Sequence, residues 1–94
     1  MRIYDAEIEL LKPSESSRRG PLPEGCFKGR INLHGVEDRD FRAWYDGVLP
    51  LGSAKTAKVA FLSASTEGLV SLGKEYDIME VGKIGVVRLK SFRE

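Results

Sequence analysis

Apolar and polar residues alternate with a period of two along most of this chain, and that period predicts strands. In the first such segment Tyr4, Ala6, Ile8 and Leu10 alternate with Asp5, Glu7 and Glu9. Successive side chains of a strand point to opposite faces, so this segment has one apolar and one acidic face. The pattern returns with Phe27, Gly29, Ile31 and Leu33 against Lys28, Arg30, Asn32 and His34, followed by a turn at Gly35. It returns again with Phe41, Ala43 and Tyr45 against Arg42, Trp44 and Asp46. Asp46-Gly47 closes that strand, since both residues tolerate positive φ. Residues 56–63 predict a fourth strand with Ala57, Val59 and Phe61 on one face, 75–81 a fifth and 84–92 a sixth. A tight connection at Gly82-Lys83 joins the last two.

Between the strands the punctuation is clear. Residues 13–25, PSESSRRGPLPEG, carry three prolines, two glycines, three serines and two arginines. They predict a long loop, read as a mobile crossing between strands. Residues 48–55 form a connection through Pro50 and Gly52. In residues 65–73, STEGLVSLG, Ser65 or Thr66 could cap a single helical turn, which Gly68 and Gly73 limit. Six short strands without a ten-residue helix suggest a small barrel or sandwich. The apolar faces are short, so only a closed or nearly closed sheet buries enough surface to offset chain entropy. The expected fold is a single all-β domain over residues 1–94, a six-stranded antiparallel β-barrel.

Composition narrows the function. Ninety-four residues leave room for one core. Fifteen Lys and Arg stand against 14 Asp and Glu, a net charge of +1 that argues against a dedicated nucleic-acid binder. One cysteine and one histidine exclude an internal disulfide, a multi-cysteine zinc site and a histidine-rich metal site. Asp5, Glu7 and Glu9 interrupt the apolar run a secretory signal requires, and no stretch is long enough to span a bilayer. The expected location is cytoplasmic, with no membrane contact.

Candidate chemistry is sparse. Residues 68–74, GLVSLGK, have the G-x-x-x-x-G-K spacing of a phosphate-binding loop, but Glu75 stands where a Ser or Thr should bind magnesium. The following EYDIMEV alternates as a strand where that loop needs a helix, so no nucleotide site is expected. His34 beside Glu37 and Asp38 could do acid–base work, and is the enzymatic alternative. No serine stands in a nucleophile elbow. Cys26 reads as a small core residue. No catalytic, cofactor-binding or metal-ligating residue is expected, and the chain reads as a non-enzyme.

Binding features are more numerous. Arg18 and Arg19 in the long loop, with Lys28 and Arg30 on the next strand, form a basic cluster that could meet phosphates or an acidic protein surface. Alternation places Phe41 and Tyr45 on the inner face and Trp44 on the outer one, where an indole either anchors an interface or covers a neighbouring loop.

The C-terminal third, GKEYDIMEVGKIGVVRL, resembles the last β-barrel domain of the elongation factor Tu family of translation factors. That domain ends in an aromatic-x-Ile-x-Glu-Gly-Gly hairpin and a Gly-x-Gly-Val-Val strand. Tyr76, Ile78, Glu80 and Gly82 take the matching places, followed by Gly85, Val86 and Val87, while Val81 replaces the first hairpin glycine. DAEIELLK is similar to the family's opening strand, and LPLG at residues 49–52 to its Met-Pro-Gly turn. The family's Arg-Pro-Gln-Phe segment is absent, and FKGRINL stands there. These 94 residues hold no GTPase domain, so GTP-driven tRNA delivery is not the expected activity. The resemblance implies the barrel fold and an RNA-contacting surface to which Glu80 and Gly82 carry over, with Lys28 and Arg30 as substitutes.

The expected function is non-catalytic binding of another protein, of regulator or inhibitor type, through Trp44, Arg42, Arg18 and Arg19, with self-association as a further partner choice. The alternative is a translation-linked RNA-contacting module using Lys28, Arg30, Glu80 and Gly82. No cofactor is expected.

Overall fold

The computed structural model describes residues 1–93 and shows an all-β chain, with 54% of residues in strands and 6% in helix. The strands are β1 (Ile3–Leu10), β2 (Cys26–Leu33), β3 (Glu37–Trp44), β4 (Ala54–Phe61), β5 (Glu75–Met79) and β6 (Lys83–Arg93). One short helix, α1 (Ala64–Leu69), follows β4. The strands close into an antiparallel barrel in the order β1-β4-β3-β2-β5-β6. Closure leaves no free sheet edge along β1, which pairs with β4 on one side and β6 on the other.

The inner face follows from the period of two. Tyr4, Ala6, Ile8 and Leu10 of β1 meet Phe27, Ile31 and Leu33 of β2 and Phe41 and Ala43 of β3 in one buried cluster. Tyr76, Ile78, Val87 and Leu89 complete it from the other side. Gly29 also faces inward, where a Cβ would lie 2.3 Å from Cε2 of Phe27 and 3.0 Å from Cε1 of Phe41. The glycine leaves room for these two rings, which pack edge to face at 6.1 Å. Gly85 has a different reason: its Cβ would lie 2.3 Å from the carbonyl oxygen of Glu9, where β6 closes on β1.

Several boundaries differ from the sequence reading. β3 starts at Glu37, four residues before Phe41, because the β2–β3 hairpin is tight: His34 and Gly35 both take positive φ, at 55° and 74°. Asn32 accepts the Gly35 N–H through its side-chain oxygen at 2.7 Å and fixes that turn. β4 ends at Phe61, two residues short of Ser63, and β5 ends at Met79, two short of Val81. A register shift after Ile78 pairs Met79 with Lys83, so the extra residue Ile84 turns inward and is fully buried. The helical turn is capped by Ser63, whose side chain accepts from the Thr66 N–H, rather than by Ser65 or Thr66. Thr66 is buried instead.

Residues 13–25 are tied down, in contrast to the mobile crossing expected. Leu22 is fully buried and donates its N–H to the Leu49 carbonyl at 2.9 Å. The Tyr45 hydroxyl donates to the Pro23 carbonyl at 2.5 Å, and Tyr45 N–H to the Gly25 carbonyl at 3.1 Å.

Candidate binding face

The outer face of β2, β3 and β4 gathers most of the residues singled out by sequence. Strand register places Cys26 opposite Trp44 and Trp44 opposite Lys58; in the next row Lys28 faces Arg42, and Arg42 faces Ala60. Arg30 faces Asp40, and Asn32 faces Asp38. Trp44 is 39% exposed and lies outward, as alternation requires. Cys26 is half-buried on this same outer face. Its expected core position is corrected by parity: Phe27, the next residue, takes the inward place.

A groove of about 680 Å³ opens beside this row. Lys28 and Arg30 of β2 and Asp40 of β3 line it; Leu62, just past β4, stands on one side, and Met79 and Val81 of the β5–β6 hairpin stand on the other. Leu62 is half exposed and Val81 is wholly exposed. Sequence reasoning missed these apolar walls. The available signals were Leu62, which breaks alternation directly after Phe61, and Val81, an isolated apolar residue beside the hairpin glycine.

The basic cluster divides in two. Arg18 is spent inside the molecule: Nη1 donates to Oε2 of Glu80 at 2.6 Å, Nε to the Gly20 carbonyl at 2.9 Å and Nη2 to the Pro21 carbonyl at 2.9 Å. Its guanidinium also lies 5.9 Å from the Phe27 ring centroid. Arg18 is thus engaged within the chain, with its charge paired to Glu80. Glu80 is occupied by the same bond. Gly82 donates its N–H to the Ser17 hydroxyl at 3.2 Å, which ties the hairpin to the long loop. Arg19 is exposed. Arg30 reaches Asp38 at 3.7 Å and donates to the Glu80 carbonyl at 3.1 Å.

Lys28 and Arg42 have no carboxylate partner among the described residues, and Nε of Arg42 is buried without an acceptor. Like charges directly opposite on neighbouring strands repel. On the opposite wall of the barrel the charges are matched. Arg88 bonds Glu7 at 2.7 Å and Glu9 and Glu75 at 2.8 Å each. The bond to Glu9, and after it that to Glu75, raise the pKa of its guanidinium above the usual range against an opposing desolvation. Asp5 accepts from Lys58 and from the Ser91 hydroxyl, which hold its carboxyl below the ordinary carboxylate range.

The residues around His34 do not assemble as an acid–base pair. Asp38 accepts from the Asn32 side chain at 3.0 Å, and Glu37 pairs with Arg39 at 2.9 Å. The His34 ring lies edge-on to Tyr76 at 6.4 Å. Lys74 leads into β5 and not into a helix, so the residue 68–74 segment lacks the setting of a phosphate-binding loop. Among the described residues, no group of three or more His, Cys, Asp or Glu is placed to hold a metal ion. No helix of the described residues is long and apolar enough to cross a membrane. No protein-family model and no curated protein matches the chain.

Proposed function

We propose that this chain is a non-catalytic binding module for another protein, of regulator or inhibitor type and working in the cytoplasm. The observation that carries this reading is the outer row of β2–β4, where exposed Trp44 sits beside the uncompensated Lys28–Arg42 pair. An amphipathic indole held on a paired strand loses little freedom on binding, and Trp and Arg are the commonest energetic anchors of interfaces. Arg42 flanks Trp44 on this face, and Arg19 offers a further exposed charge from the loop. The test is capture from host lysate with and without nuclease, then titration of the identified partner. Trp44→Ala should weaken that complex at least tenfold without changing the circular dichroism. An unchanged affinity refutes the reading.

A second reading has the barrel contact RNA, as the resemblance to the elongation factor Tu family implies. Exposed Lys28 and Arg30 favour it. Against it stand Glu80, which is neutralised by Arg18, and a balanced net charge. Nuclease-sensitive capture with a steep salt dependence would place it first.

A further inference from the structure

Three features of the groove are complementary to one kind of occupant. Its lining carries Lys28 and Arg30 together with Asp40 and Glu80, and Glu80 is already paired with Arg18. Arg42 stands at its margin, opposite Lys28 in the next strand. Lys28 and Arg42 face each other without an acid of this chain between them, an arrangement that costs stability unless an external anion meets it. Its walls are aliphatic: Leu62 on one side, Met79 and Val81 on the other. Val81 sits at the hairpin position most exposed to water, where it covers nothing of its own chain.

We propose that the groove takes an extended acidic segment of a partner protein, with carboxylates on Lys28 and Arg42 and an apolar side chain between Leu62 and Val81. This rests on the binding-module reading above and names the chemistry of its partner. A nucleic-acid strand fits less well. Bases bind by stacking on exposed rings, whereas the two rings that line this groove, Phe27 and Phe41, are buried, and the exposed side chains at its walls, Leu62 and Val81, are aliphatic. Asp40 also lines the groove, and it would repel a phosphate chain that carries a charge at every step. A peptide can confine its carboxylates to the Lys28–Arg42 end and pass Asp40 with a neutral residue. Arg30, already near Asp38 and Asp40, orders the junction between the two ends.

The test uses an end-blocked eight-residue peptide of alternating Glu and Val, followed by amide chemical shifts of the labelled protein. Saturable binding tighter than about 1 mM, the weak end of specific association, is expected, with shifts at Lys28, Leu62 and Val81. Replacing Glu by Lys, replacing Val by Ser, or using an eight-nucleotide oligouridylate should each weaken binding at least tenfold. So should Lys28→Glu with Arg42→Glu, in a protein whose circular dichroism is unchanged. If that double variant does not fold, Val81→Ser replaces it, since the exposed Val81 side chain supports no packing. Absence of saturation, equal binding of the Ser peptide, or tighter binding of the oligouridylate each overturns the proposal. If the peptide fails while a captured protein still depends on Trp44, the acidic-segment assignment falls and the module reading stands. If neither responds, both fall.

Discussion

Arg18 and Glu80 are 62 positions apart in the chain, yet the guanidinium donates to the carboxylate at 2.6 Å. The contact joins the long loop to the tip of the β5–β6 hairpin, and it spans the seam where β2 and β5 pair over only Arg30, Ile31 and Asn32. The Arg18 side chain thus stands where a backbone ladder is missing.

Arg18→Ala should therefore loosen the loop more than it unfolds the barrel. The pair is about a quarter to a third exposed, so solvent screening limits its worth to about 1 kcal/mol. The two carbonyl bonds raise the expected loss to about 1–2 kcal/mol. Glu80→Gln should cost less than Arg18→Ala, and 1 M salt should narrow the gap from wild type. Urea unfolding gives the stabilities, and limited proteolysis within residues 13–25 reads the loop. A loop no more cleavable in Arg18→Ala than in wild type contradicts this role.

Trp44→Ala should leave the fold intact, with a loss of at most about 1 kcal/mol, as at a surface site. As the only tryptophan, Trp44 should emit to the red of a buried indole and be reached by a soluble quencher. A loss near 3 kcal/mol, the cost of truncating a buried aromatic, would mean that the side chain is core.

The two inward glycines should differ in their tolerance of alanine. At Gly29 the added carbon meets the ends of two rings, which can shift, so Gly29→Ala should cost about 1–3 kcal/mol. At Gly85 it meets the Glu9 carbonyl, which is held in the β1–β6 ladder and cannot move alone. Gly85→Ala should cost more than about 3 kcal/mol or prevent folding. Chemical denaturation of both variants checks the order, and a milder effect at Gly85 would refute it.

Asp5 sets an acid dependence. Its bond to Lys58, then that to Ser91, lowers its pKa in the folded chain below the ordinary 3.8. The folded state then binds its proton less readily than the unfolded chain does. Its contribution is complete above the ordinary carboxylate value and is lost as pH falls through the lowered one. Asp5→Asn should remove that component, so variant and wild-type stability should converge toward low pH. Urea midpoints between neutral and acid pH measure this; parallel profiles would show that Asp5 carries no such linkage.

Alternation in the sequence carries the β-barrel and most of its inner face, because a side chain's face on a strand depends only on parity. For that reason the outward position of Trp44 and the inward positions of Phe41 and Tyr45 were legible. Parity also held the correction for Cys26, since Phe27 beside it is the larger apolar residue and takes the core. The fate of Arg18 was not legible. A charge next to Arg19 in a proline-rich loop looks free until closure brings Glu80 beside it. The pairing of Lys28 with Arg42, and the standing of Leu62 across from Val81, likewise depend on strand order and register, which join residues from distant segments. Local pattern records which way a side chain points. Only the closed sheet decides which charges find partners and which are left facing solvent.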